Sequence, residues 1–250
     1  MAFQTVFKRY ELKYMLTPTQ KEKILEAMLP YMSLDGYGRT AIRNIYFDTE
    51  DYRLIRRSIE KPAYKEKLRI RSYAQATGES TVFAELKKKY ENVVYKRRLP
   101  LRESEAMAWI CGESPCPVHT QISREIDYFI RFYGKLKPAV FLSYEREAYY
   151  EKNGGDFRVT FDDTVLCRET DIDLCAPVYG EPLLPQGKVL MELKCSGGIP
   201  LWMVDVLSRE RIYKTSFSKY GTAYEKIIFP ELYLPNSIKN KEMIFNGCDF

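Results

Sequence analysis

The feature that most constrains this sequence is a repeated alternation of apolar and charged side chains. In residues 64–73, Leu68 and Ile70 alternate with a row of four cations, Lys65, Lys67, Arg69 and Arg71. A period of two is typical of a β-strand, because successive side chains of a strand point to opposite faces. This segment is therefore predicted to be a strand with one apolar and one cationic face.

Seven further segments alternate in the same way. The weakest of them is Ala41–Asp48, in which Arg43 interrupts the apolar face of Ile45 and Phe47. An Asn-Gly-Gly turn at residues 153–155 indicates a hairpin between the sixth and seventh strands. The predicted strands are Val6–Met15, Ala41–Asp48, Tyr64–Tyr73, Thr81–Lys89, a segment over Val93–Leu99, Ala139–Tyr149, Asp156–Asp163 and Lys188–Ser196.

Helical spacing occurs between these strands. Thr17 followed by Pro18 and Gln20 is typical of a capped helix start, and apolar residues follow at 24, 25, 28 and 29. Residues 111–117 and 169–186 are predicted to be loops. The other predicted helices are Asp51–Ile59, Glu103–Ile110, His119–Tyr133, Leu201–Ile212 and Tyr220–Ile228.

The charged strand faces indicate how the strands are arranged. A single amphipathic strand usually shows its charged face to water. Here the charged faces hold many cations and few acids, which would repel one another on an open sheet, and the helices need an apolar surface to pack on. A closed barrel with its apolar faces outward meets both needs. We therefore predict an α+β fold, an eight-stranded antiparallel β-barrel with flanking α-helices.

One domain is expected, because 250 residues suit a single barrel. We assign residues 1–229 to it and residues 230–250 to a tail packed on the barrel or loosely ordered beside it.

The predicted lumen is strongly cationic. Its inward acids are Glu11, Glu85, Asp162 and Glu192. Unpaired charges held away from water are costly, so such a lumen implies a bound polyanion with several phosphates. The inward basic residues are Arg9, Lys13, Lys67, Arg69, Arg71, Lys87, Lys89, Lys96, Arg98, Arg146, Arg158 and Lys194.

Composition excludes several alternatives. The net charge is only +5, from 39 basic and 34 acidic residues, so the location of the charges matters more than their sum. A single histidine and six cysteines without a CxxC pair argue against a zinc site. No apolar run is long enough for a signal peptide or a membrane span. We therefore expect a cytoplasmic protein with reduced thiols.

An ordered set of short motifs resembles the catalytic domain of the vacuolar transporter chaperone (VTC) polyphosphate polymerases, within the triphosphate tunnel metalloenzyme superfamily. The resemblance covers nearly the whole chain. Each motif alone is weak, and their order makes the set specific. The motifs span residues 9–14 (RYELKY), 46–49 (YFDT), 67–71 (KLRIR), 85–87 (ELK), 143–146 (SYER), 192–194 (ELK) and 216–220 (SFSKY).

The resemblance implies a tunnel that grips a nucleoside triphosphate and a growing polyphosphate chain, with Mn²⁺ or Mg²⁺ as cofactor. Tyr144 and Ser218 match polar contacts of the family, and Lys67 and Lys89 share the inward rows and are expected to contact substrate. Lys96 and Arg98 lie on the same predicted strand face, so either of them fits one phosphate-binding position of the family, and both are included. The residues expected to bind phosphate in catalysis are Lys13, Arg69, Arg71, Lys87, Lys96, Arg98, Arg146, Arg158, Lys194 and Lys219.

The resemblance also implies a metal ligand, Glu192. Hard cations prefer oxygen ligands, so Glu85 or Glu11 would be suitable additional ligands. For both of these, a structural salt bridge to a neighbouring cation is an equally good interpretation.

Three functions are compatible with the sequence. The first is a polyphosphate polymerase that uses ATP or another nucleotide, which needs only clamped phosphates and a metal. The second is a triphosphatase acting on inorganic triphosphate or nucleoside triphosphates. The third is a non-catalytic binder of polyphosphate or nucleic acid that uses residues 87–89 and the tyrosines. No RNA-binding motif is visible, which argues against nucleic acid.

Two departures from the family bear on this choice. Arg9 stands where the hydrolytic and cyclase branches carry the first glutamate of Glu-x-Glu-x-Lys, which favours the polymerase. Full VTC subunits also carry an SPX sensor domain and membrane helices, and neither pattern occurs here, so we do not expect the chain to move product across a membrane by itself. The sequence predicts no oligomeric state.

Overall fold

The computed structural model describes residues 6–91 and 93–233, with side chains from residue 10 onward. Its strands are β1 (Val6–Leu16), β2 (Met32–Leu34), β3 (Thr40–Asp48), β4 (Tyr64–Ser72), β5 (Thr81–Tyr90), β6 (Val93–Arg102), β7 (Lys137–Glu151), β8 (Arg158–Arg168), β9 (Glu181–Pro182), β10 (Val189–Cys195) and β11 (Lys214–Thr215). Its helices are α1 (Pro18–Met28), α2 (Arg53–Ile59), α3 (Glu103–Ile110), α4 (Gln121–Tyr133), α5 (Leu201–Arg209), α6 (Lys219–Ala223) and α7 (Phe229–Tyr233), with a π-helical turn (Tyr224–Ile228) before α7.

Eight of the strands pair in a ring. The order β7-β3-β4-β5-β6-β1-β10-β8 returns to β7, because β8 pairs with β7 as well as with β10. Every pairing in the ring is antiparallel. The short strands β2, β9 and β11 extend β7, β8 and β1. The predicted α+β barrel is confirmed, and the eight predicted strands are the eight strands of the ring.

The outer face of the barrel is apolar and lies beneath helices. Leu68 and Ile70 are fully buried and belong to one cluster with Trp109 of α3 and Phe129 of α4. A second cluster joins β1, β8 and β10 to α1 and α5. Burying each large apolar side chain contributes about 1.5–3 kcal/mol. This packing holds the charged faces inward.

We call the end of the barrel at which β4 ends and β5 begins the lower end, and the opposite end the upper end. In the upper part, the inner faces of β7 and β8 are apolar rather than charged. Thr164 has a positive φ of 46°, and the β7–β8 register shifts opposite it, as in a β-bulge. Beyond this point Val165 and Cys167 are buried with Val140 and Leu142 of β7. Four further side chains pack against these residues in the upper part of the barrel. They are here called the apolar plug and are Ile55, Tyr220, Tyr224 and Ile228.

Several predicted boundaries differ from the structure. The helix expected over Leu201–Ile212 ends at Arg209, and the one expected over Tyr220–Ile228 is α6 followed by the π-helical turn. Arg43, which interrupts the apolar face of β3, donates from Nη1 to the carbonyls of Leu174 and Ala176 at 3.3 and 2.8 Å, so two loop carbonyls accept hydrogen bonds from its guanidinium on the outer face.

The start of α1 is confirmed. The Thr17 hydroxyl accepts a hydrogen bond from the Gln20 backbone, and the Gln20 side chain accepts one from the Thr17 backbone. Most of the predicted tail, residues 234–250, lies outside the described residues. No helix in residues 6–91 or 93–233 has the length and apolar character of a membrane span.

Candidate active site in the barrel

A cavity of about 1870 Å³ occupies the barrel. Its lining includes Lys65 and Lys89 at the upper end, and Tyr73 and Arg158 at the lower end. The run from Lys65 along β4 to Tyr73, the residue that follows this strand, corresponds to roughly 26 Å of extended chain. The cavity therefore extends along the barrel beside the apolar plug.

Nearly all the side chains predicted for the site line this cavity. Glu85 is the exception, because it is fully buried and does not reach the cavity surface. Side chains of one strand face share the cavity because the ring turns that face inward. The predicted residues that line it are Glu11, Lys13, Lys67, Arg69, Arg71, Lys87, Lys89, Lys96, Arg98, Tyr144, Arg146, Arg158, Glu192, Lys194, Ser218 and Lys219.

Glu192 lies at the centre of a group of cations. On β10 it is aligned with Lys13 of β1 and Thr160 of β8. Its carboxylate lies 3.1 Å from Lys194 Nζ, and three more cations surround it, Lys219 at 3.4 Å and Lys13 and Arg146 at 3.6 Å. Burial raises the pKa of Glu192, but these cations together lower it by more, so the pKa lies well below its usual value. Glu192 is therefore an anion that faces the cavity.

Asp162 holds two of the same cations in place. Arg146 donates to both of its carboxylate oxygens, at 2.5 and 2.6 Å, and Lys219 Nζ donates at 2.5 Å. Burial raises the pKa of Asp162, while Arg146 and Lys219 lower it below its usual value overall. The sequence pattern places Asp162 on the inward row of its strand but assigns it no role, because its partners are distant in the chain.

Glu85 binds a different set of cations. Its oxygens lie 2.6 Å from Lys96 Nζ, 2.6 Å from Arg98 and 2.7 Å from Arg69, with Arg71 at 3.9 Å. Burial raises its pKa, but these cations lower it well below the usual 4.5. Because Glu85 is enclosed by cations, the geometry favours its interpretation as a structural salt bridge over that as a metal ligand. Lys96 and Arg98 bind the same oxygen, so both remain candidates for one role.

Glu11 lies on β1 beside the Glu192 group and faces the cavity. Lys87 donates to its carboxylate at 2.6 Å. Burial raises the pKa of Glu11, but Lys87 lowers it, and the net pKa is about 2. Glu11 is therefore ionised and already bound to one cation.

Tyrosine hydroxyls orient the arginines of β4. Arg71 donates to Tyr144 Oη at 2.9 Å and to Asn44 Oδ1 at 3.0 Å, and Arg69 donates to Tyr46 Oη at 2.8 Å. The Lys219 ammonium lies 4.4 Å from the centre of the Tyr144 ring, a cation–π distance. Tyr46 is not among the residues that the sequence predicts for the site, although its place on the inward row of β3 indicates it.

The segment before α6 enters the barrel from above. Lys13 Nζ donates to the Phe217 carbonyl at 2.9 Å, and Lys67 Nζ donates to Ser218 Oγ at 3.0 Å. The Ser218 hydroxyl also accepts from the Gly221 backbone at 3.2 Å and so caps α6. Two strands of the ring therefore hold this segment against the cavity.

The upper corner between β4 and β5 contains lysines without an acidic partner, here called the lysine corner and made of Lys65, Lys67 and Lys89. Lys65 aligns with Lys89 across the two strands. Among the described side chains, no carboxylate lies within 4.0 Å of these three ammonium groups, and Arg158 at the lower end likewise has none. These positions therefore lack a neighbouring negative charge, which an anionic ligand would supply.

The donors around Glu192 fit a divalent metal in part. Glu192 and Glu11 both face the cavity, Glu192 acts to raise the pKa of Glu11, and Thr160 is aligned with Glu192 across the strand pair. Hard cations bind carboxylate oxygens, and phosphate oxygens and water would have to complete the shell. Within the described ranges, one group of three residues has potential metal-ligating atoms within 4.8 Å of one another. These residues are Glu103, Asp173 and Cys175, and they do not line the cavity.

Comparison with known families gives one match over most of the chain. A family model described as the VTC domain matches residues 8–228. A search of curated proteins found no match.

Two solved structures share the architecture. A candidate adenylate cyclase from Bacillus halodurans has a TM-score of 0.54 at 15% identity, over 86% of this chain and 96% of its own. A candidate adenylyl cyclase from Hippeastrum, described as having a dominant triphosphatase activity, has a TM-score of 0.52 at 17% identity, over 85% and 93%. At such identities the similarity establishes the fold alone.

Proposed function

Because this chain belongs to the VTC domain family, we propose that it is a polyphosphate polymerase. In the proposed reaction, a terminal oxygen of the polyphosphate chain attacks the γ-phosphorus of a nucleoside triphosphate, with ATP as the expected donor. The bond from the γ-phosphorus to the bridging oxygen breaks, and the nucleoside diphosphate leaves. Family and cationic cavity together support the broader class, an enzyme that acts on triphosphates.

The observation that carries the proposal is the extent of the cationic lining. The cations around Glu192 and Glu85 would hold the reacting phosphates. Basic side chains without an acidic partner continue beyond them, to the lysine corner above and to Arg158 below. A triphosphatase needs cations only around the reacting phosphates, whereas a polymerase also needs them along the product chain.

The side chains have separate roles in this proposal. Arginine donates paired hydrogen bonds to phosphate oxygens, and lysine supplies a point charge. Arg146, Lys194 and Lys219 would neutralise the charge that develops as the phosphoryl group moves, and Asp162 holds Arg146 and Lys219 ready. Glu192 would bind Mn²⁺ or Mg²⁺, with Glu11 as a second ligand. The metal, when bound, would shield the phosphate charges.

The test is to incubate the purified protein with ATP and Mn²⁺ or Mg²⁺, resolve polyphosphate on a stained gel and assay free phosphate in parallel. We expect long chains with wild-type protein and none with Glu192→Gln, which keeps the shape of the side chain but loses its charge. The matched control is Glu50→Gln, since Glu50 is an exposed carboxylate bound to Lys137 outside the cavity; it should retain full activity.

The other outcomes identify the alternatives. Free phosphate without chains would indicate a triphosphatase on the same scaffold. Tight polyphosphate binding without turnover would indicate a binding module. Undiminished chain synthesis by Glu192→Gln would contradict the role given to Glu192.

A further inference from the structure

Lys67 of the lysine corner differs in its partners from the cations around Glu192 and Glu85. It lies on the inner face of β4, aligned with Lys87 of β5. Its ammonium donates to Ser218 Oγ at 3.0 Å and lies 5.8 Å from the centre of the Tyr220 ring. Both partners are neutral, so neither compensates the charge of a protonated Lys67.

The charged groups around Lys67 are cations. Lys65 and Arg69 flank it on β4, Lys87 faces it from β5, and Lys13 faces it from β1. The carboxylates that approach this region are already bound: Glu11 to Lys87, Glu192 to Lys13, and Glu85 to Arg69. Burial and these neighbouring cations lower the pKa of Lys67 to about 7.

We propose that binding of the phosphate chain in the cavity draws a proton onto Lys67, so that ligand binding and proton uptake are coupled near neutral pH. The proposal rests on the proposed function only for the identity of the anion. A phosphate group close to Lys67 would supply the missing negative charge, and an opposite charge favours the protonated amine. The lysine would then bind phosphate as an ammonium group.

The coupling has a definite direction. Without ligand, Lys67 is largely protonated at pH 6 and largely neutral at pH 8. Linkage is reciprocal, so the proton that the ligand recruits also strengthens ligand binding. Affinity for the phosphate chain should therefore fall as pH rises above 7, by up to about tenfold per unit until the pKa of the bound state is reached.

Calorimetric titration with inorganic tripolyphosphate tests the coupling. EDTA in the buffer prevents metal-dependent turnover, and each titration is repeated in two buffers of different ionisation enthalpy, which gives the number of protons exchanged. Wild-type protein should take up more protons than Lys67→Arg, because arginine stays charged in both states. The expected difference is about 0.5 proton at pH 7 and about 0.9 at pH 8. Protons exchanged by tripolyphosphate itself cancel in the difference.

Two further variants complete the test. Lys67→Gln still donates to Ser218 but cannot be protonated, so it should show the same loss of proton uptake with weaker affinity, and it serves if Lys67→Arg does not fold. Lys88→Arg is the matched control, because Lys88 lies on the outer face of β5 near Glu125, and it should match wild type.

The possible failures are distinguishable. Equal proton numbers for wild type and both Lys67 variants would overturn the coupling, even in a protein that makes polyphosphate. Absence of tripolyphosphate binding to the wild type would overturn the coupling and the proposed function together. Proton uptake in a protein that makes no polyphosphate would support the coupling and reject only the polymerase.

Discussion

At the scale of single residues, the role of each inward carboxylate depends on whether its side chain reaches the cavity. Glu85 and Asp162 have no exposed surface and are bound by arginines and lysines, so they hold cations in position. Glu192 also has several cationic neighbours, but unlike Glu85 and Asp162 it lies on the cavity wall, where a ligand or metal can reach it. Exposure to the cavity therefore separates a positioning carboxylate from a ligand-binding one.

Replacing Glu85 with glutamine should mainly reduce stability. It leaves buried cations without their counterion, and breaking a buried ion pair in this way costs about 3–5 kcal/mol. Because the folded pKa of Glu85 lies below its ordinary value of 4.5, its contribution is present at neutral pH and is lost only as the pH falls through the folded pKa. Urea denaturation at pH 7 measures the loss.

The control is Glu125→Gln, because the partly exposed ion pairs of Glu125 with Arg97 and Lys88 should contribute only about 0–1 kcal/mol. If Glu85→Gln instead kept wild-type stability and lost Mn²⁺ affinity, Glu85 would be a metal ligand.

At the scale of elements, the apolar plug and the segment before α6 connect the fold to the site. Tyr220 donates to Asp48 Oδ2 at 2.8 Å inside the barrel. The other Asp48 oxygen accepts from the backbones of Thr49 and Leu54, and Oδ2 also accepts from Ile55, so the same side chain caps α2. This carboxylate joins β3, α2 and α6, and α6 carries Lys219 into the site.

Removing the Tyr220 hydroxyl should loosen this junction. Tyr220→Phe loses a buried hydrogen bond to a carboxylate, which contributes about 1.5–3 kcal/mol, so the free energy of unfolding should fall by that amount. The Michaelis constant for nucleotide should rise as well, because Ser218 and Lys219 begin the same helix. Tyr128→Phe, at an exposed position on α4, should change neither quantity. Unchanged stability and kinetics in Tyr220→Phe would show that the junction does not depend on this bond.

At the scale of the whole molecule, like charges from several strands are held around one cavity. Each inward cation repels its uncompensated neighbours, and a polyanion would relieve this repulsion along the length of the barrel. A ligand that binds only the folded state stabilises it by about 2.7 kcal/mol at a hundredfold excess over its dissociation constant. The stability of this protein should therefore depend on phosphate ligands and on salt.

Thermal unfolding with phosphate ligands tests the proposed path of the chain. Tripolyphosphate should raise the unfolding temperature, long-chain polyphosphate should raise it further, and both shifts should shrink in high salt. The double variant Lys65→Gln, Lys89→Gln should keep most of the tripolyphosphate effect and lose the additional effect of the long chain. An equal loss for both ligands would mean that the lysine corner does not extend the path.

The sequence alone determined which side chains share a strand face and which residues begin α1, because the period of two and the cap at Thr17 are local properties. It also determined the barrel, since the cationic row of β4 would repel itself on an open sheet. Tertiary structure decided what each carboxylate does, because Asp162 meets Lys219 only when α6 packs into the barrel, and Glu192 meets Lys13 only when β10 pairs with β1. It also decided the apolar plug, since the bulge at Thr164 reverses the faces of β8 beyond it. Contacts between distant segments depend on chain geometry that no local pattern carries.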